Sequence, residues 1–337
     1  GCMVKNALYP LKFRGIFKKT PWGGNRIGRL FEKKVPPGGG IGEFWEIADR
    51  NDDNSIITNG VYKDMPLHKL MDGPEASDML GYEHRRMHRD ENRFPLMLKL
   101  IDTSERLSLQ VHPDDSYVRA NEPPGDSGKM EAWYIIHTEP EAWIVRGLRP
   151  GTTREGLESS LHESTLEECL NFLPVSPGDV IFIPPGVLHS IGPGIVLLEV
   201  QQNSDITYRL FDWGSTRELH TEKAMDVINF APPAAYRQDK MQPTLLSPPP
   251  RKRELLLECE KFVLESLELN APYDIADMRT FHILTVIEGS GKITYGQSET
   301  IDIHAGESVL IPAALGAYNL CPEGNCKIIK SIPARPG

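Results

Sequence analysis

PGDVIFIPPGVLH, Pro177 to His189, has a near copy later in the chain: AGESVLIPAALGA, Ala305 to Ala317. Both carry a glycine, an acid, an apolar run and Ile-Pro at the same spacing. Gly178 and Gly306 predict a turn before a strand. Pro184 and Pro312, which cannot donate to a sheet ladder, predict the end of that strand. The repeat predicts two related β-domains. The first copy continues to a histidine, whereas the second has Ala317 at that place. The first domain is therefore expected to hold the chemistry, and the second to be structural and bind no metal.

The rest of the chain has the same texture. Glycine (29) and proline (28) punctuate short apolar runs, as in an all-β protein. LSLQVH, EAWYIIH, DVIFIPP, IVLLEVQQ, ITYRLFDW, FHILTVIEG, GKITYG and ESVLIPA read as strands. Helical character is expected between Pro66 and Met87, in TREGLESSLHESTLEECLNFL and in STRELHTEKAMDVINF. PTLLSPPPRKRE, with three consecutive prolines before a basic tripeptide, resists both helix and central strand. The expected organisation is an N-terminal segment with a catalytic β-domain over 1–242, a linker over 243–254, and a second, degenerate domain over 255–337.

Composition limits the partners. With 337 residues and a net charge of −10, the chain has no long basic run, which argues against nucleic acid and anionic membranes. No segment approaches the roughly 18 apolar residues of a membrane span. GCMVKNALYPLKFRG lacks the apolar core of a signal peptide. The five cysteines are scattered without a CxxC, which favours reduced thiols. A cytoplasmic protein, monomeric or homodimeric, is expected. A small anionic substrate fits these limits, because a pocket needs only a few local cations.

LSLQVHPDD, Leu107 to Asp115, places Gln110 and His112 two residues apart, on one face of a strand. Leu109 and Val111 would pack on the other face. Glu131 opens a later strand, and the Pro-Gly turn before His189 aims that histidine back across the strands. Gln110, His112, Glu131 and His189 could surround one divalent ion. Imidazoles with carboxylate and amide oxygens suit zinc, and also iron, nickel, cobalt or manganese.

The spacing Gly178, Pro184, Gly186, His189 resembles the second cupin motif. A longer series resembles type I mannose-6-phosphate isomerases: PWGGNRI (21–27), IGEFWEIAD (41–49), FPLMLKLIDTSERLSLQVHPDD (94–115), GKMEAWYII (128–136), PPGVLHSIGPGIVLLEVQQNSDITYRLFDWG (184–214) and RELHTEKAMDVI (217–228). FHILTVIEGSGKI and GESVLIPA resemble that family's second cupin domain. The resemblance implies a mainly β, double-cupin fold, two jelly-roll-like β-barrels with short helical segments. It implies Gln110, His112, Glu131 and His189 as ligands of one divalent ion, usually Zn2+. It also implies a sugar-phosphate substrate, with mannose 6-phosphate and fructose 6-phosphate interconverted through a cis-enediol.

Such chemistry needs a base, stabilisation of an enediolate oxygen, and cations for a phosphate. Glu199, ten residues after His189, is the candidate base. Arg209 and Lys129 are candidates for charge and phosphate. Ser108, Glu43 and Trp22 fall in matching blocks as substrate contacts, and Asp205 is a weaker candidate for orienting Arg209 or relaying a proton. Two departures stand out. Only a short helical insert separates Glu131 from His189, as in compact bacterial members. Ser215 also follows Gly214, where the family often has arginine, and the next arginine is Arg217. A cupin dioxygenase using iron and a non-catalytic sugar-binding cupin are the competing readings.

Overall fold

The structure is a computed structural model that describes residues 7–88, 92–276 and 279–334. The N-terminal positions 1–6, including Cys2, lie outside the described residues. Cys169, Cys259, Cys321 and Cys326 are free thiols. Among the described residues, no helix is long and apolar enough to cross a membrane.

Among the described residues, three sheets make the fold. A six-stranded sheet and a five-stranded sheet face each other in the first barrel. Ile101, Trp133, Ile135, Ile183 and Leu197 of the former pack with Ile144 and Ile191 of the latter. This is the sandwich expected of strands whose alternate residues are apolar. The opposite face of the five-stranded sheet is covered by helices, with Leu109, Val111, Val145, Leu157 and Met225 in one cluster. Leu109 and Val111 therefore turn away from the barrel interior, and their neighbours Ser108 and Gln110 turn inward, as the strand period requires.

The sequence repeat is a structural repeat. Strands Val180–Ile183 and Ser308–Ile311 occupy equivalent places, each between its Gly turn and its Ile-Pro stop. Gly178 and Gly306 have φ of +92° and +88°, the left-handed region that glycine enters without penalty. Each turn is stitched alike: Gly178 N donates to Ile135 O and Ile135 N to Asp179 O, while Gly306 N donates to Val286 O and Val286 N to Glu307 O. The second barrel is built on a ten-stranded sheet, and Leu284, Val286, Ile293, Val309, Ile311 and Ile328 fill it.

Several local expectations change. Residues 243–254 are no extended connector. Strands Thr244–Ser247 and Arg251–Glu258 form a hairpin around Pro248–Pro250, at the edge of the ten-stranded sheet. An edge hairpin tolerates proline because its turn and outer side need no ladder donor. The N-terminal strand Leu11–Arg14 pairs with Ser308–Ile311, so the beginning of the chain completes the second barrel's sheet. The helical region 66–87 is three short helices, Leu67–Met71, Ala76–Leu80 and Tyr82–Met87, broken near Gly73-Pro74 and at Gly81. The helix Arg154–Glu163 is capped by Thr153 Oγ1, but Leu170 already begins a strand. In STRELHTEKAMDVINF only Thr221–Val227 is helical.

Candidate metal and substrate site

The two sheets of the first barrel bring the predicted residues to one cavity of about 280 Å³. In the five-stranded sheet, Gln110 lies opposite His189 on one side and Arg209 on the other. Residues directly opposite in an antiparallel ladder share a face, so this row points to one side. In the six-stranded sheet, Trp133, Glu199 and Lys99 form a second row, and Glu131 lies two residues from Trp133 on the same face. The cavity is lined by Trp22, Glu43, Ser108, Gln110, Lys129, Glu131, His189, Glu199 and Arg209 among others. His112 is not among the lining residues; it is buried, with Nε2 3.4 Å from Glu131 Oε2.

His112, Glu131 and His189 are all buried and offer ligand atoms within 4.8 Å of one another. Each imidazole is fixed through its other nitrogen: His112 Nδ1 contacts Ile206 O at 3.0 Å, and His189 Nδ1 contacts Val187 O at 2.9 Å. A carbonyl can only accept, so Nδ1 carries the proton and Nε2 keeps its lone pair facing Glu131. Burial, and next the Lys129 charge, push His112 down to about 3. Burial lowers His189 as well, against the pull of Glu131. Neutral imidazoles beside an ionised carboxylate are what a divalent cation requires. These residues therefore fit a metal ion. Gln110 donates from Nε2 to Ser108 Oγ at 3.2 Å.

A second group adjoins them. Lys129 Nζ lies 2.6 Å from Glu131 Oε2 and 3.4 Å from Glu199 Oε1. Trp133 Nε1 donates to Glu131 Oε1 at 3.1 Å and to Glu199 Oε2 at 3.2 Å. The two carboxylates nevertheless behave differently. Burial raises Glu131, but the charge of Lys129 outweighs it and holds that carboxyl well below its ordinary range. Burial and the neighbouring Glu131 charge push Glu199 up to about 7. Paired acids driven apart in this way mark candidate acid–base groups.

Arg209 stands on the other side of the cavity. Its Nη1 donates to Glu218 O at 2.8 Å, and its Nε is buried with no hydrogen-bond partner among the described residues. Glu43 Oε1 accepts from Lys99 Nζ at 3.4 Å. Asp205 is exposed at the rim, shared with an adjoining groove.

The sequence reading missed Lys99, a buried cation in the cavity wall. A lysine inside LMLKLID becomes a signal only once that strand is seen to be buried along its whole length, where a charge is costly without a purpose. Arg217 was noted only as a displaced arginine, yet it lines the cavity and forks Asp212 at 2.7 and 2.8 Å. Thr20 and Thr207 also line the cavity.

Comparison with known proteins identifies the family. The sequence model for the phosphomannose isomerase type I catalytic domain matches residues 11–125, and that for the mannose-6-phosphate isomerase cupin domain matches 252–333. Mannose-6-phosphate isomerase ManA of Bacillus subtilis is 33% identical over 335 residues, covering 96% of this chain and 98% of that protein. This chain belongs to the mannose-6-phosphate isomerase family. A mannose-6-phosphate isomerase of Streptococcus mutans is 31% identical over the same shares of the two chains. The crystal structure of the Bacillus subtilis enzyme superposes with a TM-score of 0.83 at 31% identity, covering 96% of this chain and 99% of that one. Membership in this family of type I isomerases accounts for both cupin barrels, and neither competing reading is favoured.

Proposed function

We propose that this protein is an aldose–ketose isomerase that interconverts mannose 6-phosphate and fructose 6-phosphate through a cis-enediol. The observation that carries the reading is the buried pair Glu131 and Glu199, bridged by Lys129 and Trp133 inside a cavity that also presents Arg209. In this reading Gln110, His112, Glu131 and His189 would hold one divalent ion, Zn2+ by family usage. When bound, the ion supplies a fixed positive charge for the developing enediolate.

The remaining steps fall to the chain's own residues. Glu199 takes the proton from C2 of the open-chain aldose and returns it to C1, while a hydroxyl proton moves from O2 to O1. A carboxyl raised to about 7 is poised for that exchange near neutrality. Lys129, locked between Glu131 and Glu199, balances the two carboxylates and is poorly placed to grip a phosphate as well. Arg209 binds the phosphate with the part of its guanidinium that lines the cavity. Ser108, Trp22 and Glu43 line the sugar's path.

The test is turnover of mannose 6-phosphate before and after chelation, and again with Zn2+ restored. We expect activity to vanish and return with the metal. A fully metallated protein without turnover would overturn the assignment.

A further inference from the structure

We infer that the second barrel positions Lys129 of the active site, through hydrogen bonds running from Lys261 to Asp115 and on to the backbone of residues 128–130. Lys261 and Asp115 are then positioning residues. The inference rests on the assignment of Lys129 to the isomerase site.

Lys261 lies in the turn between strands Arg251–Glu258 and Phe262–Leu269 of the second barrel. That turn is tied down, with Cys259 N donating to Phe262 O at 3.0 Å and Ala334 N to Lys261 O at 3.1 Å. From it Lys261 Nζ reaches Asp115 Oδ2 of the first barrel at 2.6 Å. Asp115 Oδ1 accepts from Gly128 N at 2.8 Å and from Gln202 Nε2 at 3.1 Å. Gln202 Oε1 accepts from Met130 N at 2.8 Å, and Lys129 N donates to Pro113 O at 3.0 Å.

Three consecutive backbone N–H groups, 128 to 130, are thus held from outside their own segment. Approach is so close that a Cβ at residue 128 would stand 2.6 Å from Asp114 C and from Asp115 N, so glycine is required there. Asp115 lies just after strand Leu109–Val111, which carries Gln110 and leads into His112, and Gln202 ends the strand that carries Glu199. One carboxylate therefore joins three active-site segments to the second barrel.

Asp115 and Lys261 line a cleft of about 580 Å³ between the barrels. Solvent screening there keeps the ion pair's direct contribution to stability small. Its consequence is geometric: Lys129 Nζ touches both Glu131 and Glu199, and misplacement by about 1 Å can cost two orders of magnitude in rate.

The experiment uses Lys261→Met, Lys261→Arg and Asp115→Asn in the full chain. In Lys261→Met and Asp115→Asn we expect kcat to fall roughly tenfold with KM within about twofold. Lys261→Arg should recover most of the rate. Backbone amide exchange at Gly128 and Met130, measured without substrate, should speed up in Lys261→Met. Unchanged kcat with unchanged exchange would overturn the inference. So would a rate loss that follows melting temperature and is not recovered by arginine. The exchange measurement needs no turnover, so a wild-type chain inactive on mannose 6-phosphate would refute the proposed function and still leave the relay decided by exchange.

Discussion

Glu199 and Glu46 are both buried carboxylates pushed up to about 7, and they separate function from fold. Glu199 faces the cavity, and as the base it predicts that Glu199→Gln loses kcat by roughly 10²- to 10⁴-fold with KM little changed. Steady-state kinetics decide this, and undiminished kcat would remove Glu199 from the mechanism. Glu46 is set apart from the cavity, with its Oε1 3.4 Å from Lys33 Nζ and without a hydrogen-bond partner among the described residues. Burial is the main cause of its shift, countered in part by Lys33. The folded pKa is raised, so the folded state holds the proton more tightly than the unfolded chain. Stability is then greatest below about 4.5, falls as pH rises, and carries the full penalty above about 7, on the order of 3 kcal/mol. Relative to wild type, Glu46→Gln should gain melting temperature between pH 5 and pH 8. The same difference at both values would contradict the assignment. At this scale the cluster of candidate ligands was legible because QxH and PPGxxH fix a face and a direction. Lys99 was not, since one lysine in an apolar strand announces itself only when the strand's burial on both faces is known.

Among elements, the turn Pro184 to His189 does the aiming. Gly186 has φ +87°, and its N–H donates to His112 O at 3.0 Å while its carbonyl accepts from Asn229 N at 2.9 Å. A Cβ there would sit 3.0 Å from Val227 O. Gly186→Ala therefore strains the backbone by about 1 kcal/mol or more and disturbs both histidine-bearing segments together. We expect roughly tenfold weaker Zn2+ binding in a competition titration, and wild-type affinity would show that the turn does not set the site. Elements were readable where glycine and proline stand at strand ends, as in the two copies of the repeat. They were misread at 243–254, where the prolines make an edge hairpin. They were misread again at 215–220, where helix-forming residues before the helix Thr221–Val227 are tied instead to Arg209: its Nη1 and backbone N–H bond to Glu218 O and His220 Nδ1.

The whole molecule is less divisible than its repeat suggests. Strand Leu11–Arg14 lies between Ser308–Ile311 and Ile56–Ile57 in the ten-stranded sheet, and strand Ile16–Gly24 follows it at once in the six-stranded sheet. Nothing local in LKFR tells that its partner is nearly 300 residues away, which is why the sequence suggested separate domains. One apolar cluster also spans both barrels, joining Phe94, Leu96 and Leu98 to Leu256, Phe262, Phe281 and Ile283. Phe94 and Phe281 meet with ring centroids 4.7 Å apart. Opening either barrel would expose that cluster, at roughly 25 cal/mol per Å² of apolar surface. We therefore propose that the two barrels unfold as one cooperative unit, and that residues 243–337 alone, lacking Leu11–Arg14, do not form a stable fold. Calorimetry of the full chain should show a single transition whose calorimetric and van't Hoff enthalpies agree. Because a metal held in the first barrel stabilises everything that unfolds with it, chelation should lower that whole transition, by about 2.7 kcal/mol of stability for a metal present at a hundred times its Kd. Two transitions, with only one moving on chelation, would show that the barrels are energetically separate despite their shared sheet.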